Sequence, residues 1–202
     1  YFARVAEILQ EGARAGGDVP MGPAAILQPP VAGDRLVEFS ASHRFDRPLD
    51  QVSAAFLDPD AHVGRYGLSG ARDIEIEHVE SGADVLDLTT VRTVEGEVPA
   101  IAQKLVKATN TITTTERWER GAGGCTGQST MEASNVPGTA TMEATIEADG
   151  DSACVYTIVL TLAMKVPLIG DRFVKLLRPQ VIEILDAEFD AWDRWFAGSD
   201  AA

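Results

Sequence analysis

A long amphipathic segment near the end of the sequence constrains the fold more than any other feature. Its apolar residues recur mostly at spacings of three, four and seven, which predicts one helix over residues 171–196 with a broad apolar face. The apolar positions are Phe173, Leu176, Leu177, Val181, Ile184, Leu185, Trp192, Trp195 and Phe196. Asp171 suits the N-cap position, and a rise of 1.5 Å per residue makes the helix about 40 Å long. We expect its apolar face to lie against a sheet formed by the preceding residues.

Pro179 lies inside this predicted helix. Proline removes one backbone hydrogen bond and clashes with the preceding turn, so it predicts a kink. The kink has two interpretations. Either it lets the helix follow a curved sheet, or it opens space beneath the helix for a ligand.

Alternating apolar and polar residues predict one strand before and six strands after two short helices. Pro48 and the Asp58-Pro59 pair mark the starts of the helices, the second of which is predicted to end near Val63 before a loop over 66–70. Segment 98–107 breaks the alternation and is predicted as a short helix or a loop with apolar anchors. The strands are predicted over residues 36–45, 72–79, 84–94, 109–119, 125–134, 139–148 and 152–166. The sequence therefore predicts an α+β fold in which an antiparallel sheet of about seven strands curves around the C-terminal helix.

Residues 1–33 are set apart from this core. They combine a short amphipathic helix pattern with a semi-extended stretch rich in Pro and Gly. Two interpretations stay open: an arm that packs on the surface or is partly disordered, or an arm that docks on a protein partner or a second copy, or covers a pocket. We divide the chain into this arm (1–33), a core domain (34–198) and a tail (199–202).

The charge and the cysteines exclude several classes of partner. A net charge of -14 repels nucleic acid and anionic lipid surfaces, and no Lys/Arg cluster offsets it. No apolar run reaches the ~18 residues that stable membrane insertion needs. One strand separates Cys125 from Cys154 in the predicted order, which places them about 9.6 Å apart and beyond the ~7 Å limit of a disulfide. We expect free cysteines in a reducing compartment, the cytoplasm.

The predicted order of elements resembles the START-like, or SRPBCC, helix-grip superfamily, and more narrowly the uncharacterised, actinobacterial-type DUF2505 family. The similarity extends from about Arg35 to Phe196. Its short motifs are Glu116-Arg117-Trp118, Val136-Pro137-Gly138-Thr139-Ala140 and Val166-Pro167-Leu168-Ile169-Gly170. The resemblance implies a deep, largely apolar cavity between sheet and long helix. Superfamily members use that cavity for lipids, polyketides, hormones and other hydrophobic molecules, and some are cyclases, dehydratases or hydroxylase subunits. The narrow family has no settled activity to carry over.

The strand pattern also predicts which side chains line such a cavity. The predicted lining is Ile76, Leu88, Ile112, Trp118, Met131, Met142, Tyr156, Leu160, Phe173 and Leu177. Several other inward positions carry small residues: Cys125, Gly127, Ser129, Ala140 and Ala144. Small residues on a curved sheet leave volume unfilled, and native cores contain few voids. Either a pocket exists, or the bulky Trp192 and Trp195 fill the space.

Four polar residues share the inward registers: Arg92, Glu116, Tyr156 and His78. An arginine in an apolar cleft is suited to bind a carboxylate through two hydrogen bonds. Glu116 suits a general base if burial raises its pKa. Alternatively, Arg92 and Glu116 pair with each other or lie at solvent-exposed strand ends. His43 falls on the buried-face register, where we interpret it as a satisfied edge or core residue.

Three functions remain open at this stage. The favoured one is binding or carriage of a hydrophobic, lipid- or polyketide-like molecule. The second is an enzyme of the polyketide cyclase or dehydratase type that uses Glu116, Arg92 or Tyr156, although no catalytic signature is present. The third is a protein-interaction module that uses the N-terminal arm or the acidic surface. The three histidines lack metal-ligand spacing and no phosphate loop occurs, so neither a metal nor a cofactor is predicted.

Overall fold

The computed structural model describes residues 35–95, 109–134, 138–164 and 171–200. Within these ranges, three helices and seven strands follow one another. They are β1 (Arg35–Phe45), α1 (Leu49–Phe56), α2 (Pro59–Leu68), β2 (Arg72–Ser81), β3 (Val85–Glu95), β4 (Thr109–Gly121), β5 (Gly124–Ala133), β6 (Gly138–Ala148), β7 (Cys154–Met164) and α3 (Asp171–Ser199). The strands form one antiparallel sheet in the order β1-β7-β6-β5-β4-β3-β2. The predicted α+β class, the strand count and the element order are confirmed.

Several predictions concern parts of the chain outside this description. For residues 171–180 of α3 the backbone alone is described, so the roles given to Phe173, Leu177 and Pro179 stay predictions. The division into arm, core and tail stays a prediction as well. The remaining untested segments are the arm 1–33, the segment 98–107, the turn at 136–137 and the motif at 166–170.

Burial alternates along the strands as the sequence pattern predicts. In β4 every second side chain is buried, and the intervening ones are mostly exposed on the outer face. The buried set is Asn110, Ile112, Thr114, Glu116 and Trp118. A period of two places these side chains on one face of the sheet, which is the face covered by the helices. This alternation brings polar Glu116 and apolar Trp118 into the same interior.

The apolar face of α3 packs on the sheet largely as predicted. The buried side chains in its described part are Val181, Ile184, Leu185, Phe189, Ala191, Trp192 and Phe196. Phe189 was missing from the predicted face although it lies four residues after Leu185 and three before Trp192. Its ring stacks on that of His43 in β1 with centroids 5.0 Å apart. Nε2 of His43 is also hydrogen-bonded to Oδ1 of Asp193 in α3, at 3.2 Å. His43 is therefore an edge residue with a hydrogen-bond partner, as the sequence pattern indicated.

Helix α2 is longer than predicted and ends at Leu68 rather than near Val63. Gly70, with φ +85°, forms the left-handed stop. The amide nitrogens of Gly70 and Ala71 donate to the carbonyls of Gly67 and Tyr66, both at 3.0 Å, the bonding pattern of a Schellman motif. The glycines inside the segment had indicated a loop, but Gly64 has a packing role. A Cβ atom there would lie 2.9 Å from Cδ1 of Trp195, so its absence lets α2 approach α3.

Strand β2 contradicts the prediction that Ile76 and His78 face the interior. Ile76 lies opposite buried Thr90, but β2 is the edge of the sheet and the Ile76 side chain is 40% exposed. The strand register shifts between Ile76 and His78. The shift pairs His78 with Thr89 of the outer face, and its side chain is 54% exposed. An alternating pattern cannot reveal a register shift or an edge position, which explains both errors.

The two cysteines are buried and free, as predicted. Cys125 lies on β5 and Cys154 on β7, with β6 between them. Burial raises the pKa of both thiols to about 11. Neither cysteine is therefore a ready nucleophile at neutral pH.

Gly127 of β5 generates a prediction about stability. A Cβ atom at this position would lie 2.4 Å from Cζ3 of buried Trp118, so Gly127→Ala forces the rigid indole to move. We expect a loss of about 1–3 kcal/mol in the free energy of unfolding, the usual size of an overpacking effect. Urea denaturation followed by tryptophan fluorescence measures the loss.

The matched control is Gly123→Ala in the β4–β5 turn. Gly123 has no atom within 4 Å of the added Cβ and does not require a positive φ. This variant should keep the stability of the wild-type protein. Equal stability of both variants would contradict the close fit between Gly127 and Trp118.

Candidate functional site

A cavity of about 280 Å³ lies between the inner face of the sheet, the end of α2 and the middle of α3. One part of its wall is apolar and is formed by Val94, Met131, Met142, Ile158, Leu160 and Leu185. The other part is polar and is formed mainly by Arg65, Tyr66, Arg92, Thr114 and Glu116. The cavity therefore has an apolar body and a charged, hydrogen-bonding end.

The predicted lining residues divide between this cavity and a filled aromatic core. Met131, Met142 and Leu160 line the cavity. Leu88, Ile112, Trp118 and Tyr156 are buried but belong to the packed core rather than to the described lining. Ile76 is exposed on the edge strand and does not belong to the described cavity lining. The side chains of Phe173 and Leu177 are outside the described residues.

The aromatic core explains this division. The ring of Trp192 stacks on Phe56 of α1 with centroids 4.0 Å apart, and Phe56 contacts Trp118 at 4.7 Å. The ring of Tyr156 lies 5.0 Å from Phe56, and its hydroxyl reaches the sulfur of Met142 at 4.0 Å. The filled core and the cavity, offered as alternatives by the sequence, thus occupy neighbouring parts of one interior.

Glu116 is the buried carboxylate at the polar end. Its side chain is 2% exposed and accepts hydrogen bonds from the hydroxyl of Tyr66 and from Nε1 of Trp118, the latter at 3.3 Å. Nη2 of Arg65 lies 3.5 Å from Oε1 of Glu116. A buried charge needs partners of this kind, because leaving it unpaired costs several kcal/mol.

Arg65 joins three elements of the fold. Through Nη1 it pairs with Glu188 of α3, and through Nη2 it reaches Glu116 of β4. Its guanidinium also lies over the ring of Tyr66, 4.2 Å from the centroid, and over that of Trp192 at 5.1 Å. The same cation therefore links α2 to the sheet and to the long helix.

His62 completes the cluster as a neutral residue. Its Nε2 lies 3.0 Å from the carbonyl oxygen of Phe56, which only accepts, and its Nδ1 lies 3.2 Å from Nη2 of Arg65, which only donates. These partners assign the proton to Nε2 and the lone pair to Nδ1. Burial lowers the pKa of His62 more strongly than Glu116 raises it, so the ring is uncharged at neutral pH.

Glu116 is held ionised by its partners. Burial alone would raise its pKa, but His62, Arg65 and the Tyr66 hydrogen bond together outweigh burial and lower the pKa to about 2. Since His62 is neutral near pH 7, the cations that keep Glu116 ionised there are Arg65 and, more weakly, Arg92. Burial, followed by the charge of Glu116, raises the pKa of Tyr66 to about 12. The condition for a base, a raised pKa at Glu116, is therefore not met.

Arg92 lies on the inner face of β3, as predicted, but it does not pair with Glu116. The strand register places Arg92 opposite Ile112 and Glu116 opposite Leu88. Nη1 of Arg92 donates instead to the hydroxyl of Thr114 at 2.8 Å.

The residues that the sequence missed are His62, Arg65 and Tyr66 of α2, together with Glu188 of α3. The first three are spaced i, i+3 and i+4, which places polar side chains on one helical face. This spacing was a readable signal, but the predicted helix stopped near residue 63. Glu188 carried no comparable signal, because acidic residues are frequent along the exposed faces of α3.

Across the described ranges, no group of three or more His, Cys, Asp or Glu side chains is placed to hold a metal ion. In the same ranges, no helix combines the length and the apolarity that crossing a bilayer requires.

The antiparallel sheet closed by a C-terminal helix defines the START-like, or SRPBCC, helix-grip fold. The sequence profile described as "Protein of unknown function (DUF2505)" matches residues 40–196. The chain belongs to this family, and the resemblance inferred from the sequence is confirmed. Comparison of the sequence with curated proteins gives no match.

Three solved structures illustrate the fold. Ara h 8.0201 has a TM-score of 0.55 and 14% identity, over 81% of this chain and 99% of that one. A point mutant of norcoclaurine synthase from Thalictrum flavum, in complex with a transition-state analogue, has a TM-score of 0.53 and 16% identity, over 84% and 99%. The Zhui aromatase/cyclase from Streptomyces sp. R1128 has a TM-score of 0.51 and 14% identity, over 78% and 92%. At these identities the similarity establishes the fold alone.

The ionised state of Glu116 generates a prediction about pH. Its pKa is lowered from the usual 4.5 to about 2, so its contribution to stability is fully present above pH 4.5 and is lost as the pH falls towards 2. Glu116→Gln should lower the free energy of unfolding by about 3 kcal/mol at pH 7, because Arg65 loses a buried partner. Below pH 4.5 the free energies of unfolding of wild type and variant should approach each other, by at most ~1.4 kcal/mol per pH unit.

Urea denaturation at pH 7, 5, 4 and 3.5 measures this difference. The control is Glu143→Gln, which removes an exposed carboxylate from the outer face of β6. The control should differ little from wild type at every pH. A constant difference for Glu116→Gln across the series would contradict the lowered pKa.

Proposed function

We propose that the chain binds a small molecule with a hydrophobic body in the cavity between sheet and α3. The observation that supports this most strongly is the cavity itself, which presents Met131, Met142 and Leu160 on one side and a charged cluster on the other. Binding pockets of proteins commonly combine a mostly apolar wall with a few fixed polar groups in this way.

The size of the cavity favours a compact ligand. Its volume of about 280 Å³ is just below the range of roughly 300–1,000 Å³ typical of small-molecule sites. A molecule with one or two rings or a short chain fits this volume better than a long-chain lipid. Within the lipid- or polyketide-like class expected from the sequence, we therefore favour the smaller members.

The charged cluster favours binding over catalysis. A cyclase or dehydratase needs a group that gives or takes a proton near neutral pH. Glu116 is held ionised with a pKa of about 2, and Tyr66 is held protonated with a pKa of about 12. The ring nitrogens of neutral His62 are both engaged. The fold also occurs in enzymes such as the aromatase/cyclase, but a shared fold does not by itself imply a shared activity.

Two predictions made from the sequence, the role of the N-terminal arm and the cellular compartment, stay predictions. Residues 1–33 lie outside the described residues, so docking of the arm on a protein partner or a second copy awaits a test. A reducing compartment, the cytoplasm, is part of the same proposal because Cys125 and Cys154 have no structural need for oxidation.

Ligand binding is tested with the neutral fluorescent probe N-phenyl-1-naphthylamine. Its emission should rise on mixing with wild-type protein and saturate. Met142→Trp places a bulky ring in the cavity wall and should weaken binding about tenfold or more, equivalent to ~1.4 kcal/mol. Native mass spectrometry of the purified protein should in addition detect a co-purified small molecule.

The matched control is Thr141→Trp, the same substitution at the neighbouring, outward-facing position of β6. It should bind the probe like wild type, and far-UV circular dichroism should confirm that both variants are folded. Absence of probe binding to wild type, or equal weakening in both variants, would overturn the proposed function.

A further inference from the structure

Arg92 is a buried cation on the wall of the cavity. Its side chain lies on the inner face of β3, the residue is 5% exposed, and it borders the cavity beside Val94 and Thr114. Burying a guanidinium is unfavourable unless hydrogen bonds and an opposite charge compensate for the lost water. The partners of Arg92 therefore indicate whether the site is complete without a ligand.

In the part of the chain that the structure describes, the hydrogen-bond partners of Arg92 occupy one corner of its guanidinium. Nη1 donates to the hydroxyls of Thr114 at 2.8 Å and of Thr90 at 3.4 Å. The plane of the group lies over the ring of Tyr66, 3.7 Å from the centroid, which fixes its orientation. Among the described residues, Nε and Nη2 have no hydrogen-bond partner, and no carboxylate lies within 4 Å of Arg92.

The neighbouring carboxylates already have partners other than Arg92. Glu116 accepts from Tyr66 and Trp118 and lies beside Arg65, and Glu188 pairs with that same arginine. In this cluster Arg65 therefore has two carboxylate partners, whereas Arg92 has two neutral hydroxyls and an aromatic ring. Nε of Arg65 also lacks a hydrogen-bond partner, but it is fully buried. Within the described ranges, Arg92 is therefore the cavity cation that lacks a carboxylate partner and keeps an open Nε–Nη2 edge.

We propose that the molecule bound in this cavity carries a carboxylate, which docks on the Nε–Nη2 edge of Arg92 while the apolar body lies along Met131, Met142 and Leu160. The N–H groups on that edge are parallel, a geometry that matches the two oxygens of a carboxylate. This inference rests on the proposed function, because it names the chemical class of the ligand for the same cavity.

A monoanion suits the site better than a dianion such as a phosphate ester. Glu95, Glu116, Glu183 and Glu188 all border the cavity, so a second negative charge would be repelled. The net charge of -14 acts in the same direction. A small aryl or alkyl carboxylic acid meets both conditions.

The test compares two probes that differ in the anionic group alone, naphthalene-2-acetic acid and 2-(naphthalen-2-yl)ethanol. Isothermal titration calorimetry at pH 7.5 measures both with wild-type protein. We expect the acid to bind about tenfold tighter than the alcohol, or more, because a charge-assisted bidentate contact replaces a neutral one. This comparison needs no variant and so does not depend on the folding of one.

Variants then assign the preference to Arg92. Arg92→Met should remove the preference for the acid, so that the acid and the alcohol bind the variant with affinities that differ by less than about twofold. Arg92→Lys retains the charge without the parallel edge and should retain part of the preference. The matched control, Arg117→Met, removes the same charge from the exposed outer face of β4 and should change neither affinity.

Three outcomes would overturn the inference. If the alcohol binds and the acid binds no tighter, the inference that the ligand carries a carboxylate is wrong, but the proposed function stands. If the acid is preferred equally by wild type and by folded Arg92→Met, the assignment to Arg92 is wrong. If neither naphthalene probe nor N-phenyl-1-naphthylamine binds, the proposed function fails and the inference fails with it.

Discussion

The guanidinium of Arg65 lies between two carboxylates, Glu116 on the sheet and Glu188 on the long helix, and this shared cation holds the interior in its arrangement. An ion group of this kind is destabilising when one partner is missing, so all three side chains must be in place together. The elements that carry them, α2, β4 and α3, are therefore fixed relative to one another at the polar end of the cavity. Tyr66 extends the group by donating to Glu116, and His62 extends it by accepting from Arg65.

This arrangement divides the interior into two parts with different properties. On one side, Phe56, Trp118 and Trp192 interlock, and Gly127 makes the space that the Trp118 ring needs. On the other side, flexible methionines and small residues face the helix and leave a cavity. The polar cluster stands at the boundary between them. A rigid aromatic core thus stabilises the fold, while the cavity wall is left free to receive a ligand.

The sequence predicted most of the fold because each strand and the long helix have a clear period, and the alternation in β4 correctly placed Glu116 inside. It could not predict the partner of Glu116, since that partner comes from a helix whose glycines resemble loop signals. The prediction that Ile76 lies in the interior was wrong for another reason. Exposure at a sheet edge depends on what covers the edge, and a local sequence pattern does not contain that information. Side-chain pairing across elements is a property of the assembled fold, and the candidate site depends on it.

The most direct test of the shared cation is a double-mutant cycle on Arg65→Met and Glu116→Gln, with the free energy of unfolding measured by urea denaturation at pH 7. Arg65→Met leaves buried Glu116 without its cationic partner, whereas Glu116→Gln leaves Arg65 with Glu188 alone. We expect each single variant to lose about 3 kcal/mol. The double variant removes both charges, so its loss should be smaller than the sum of the single losses by at least ~1 kcal/mol. Losses that add to within about 0.5 kcal/mol would show that the two residues act independently and would contradict the account.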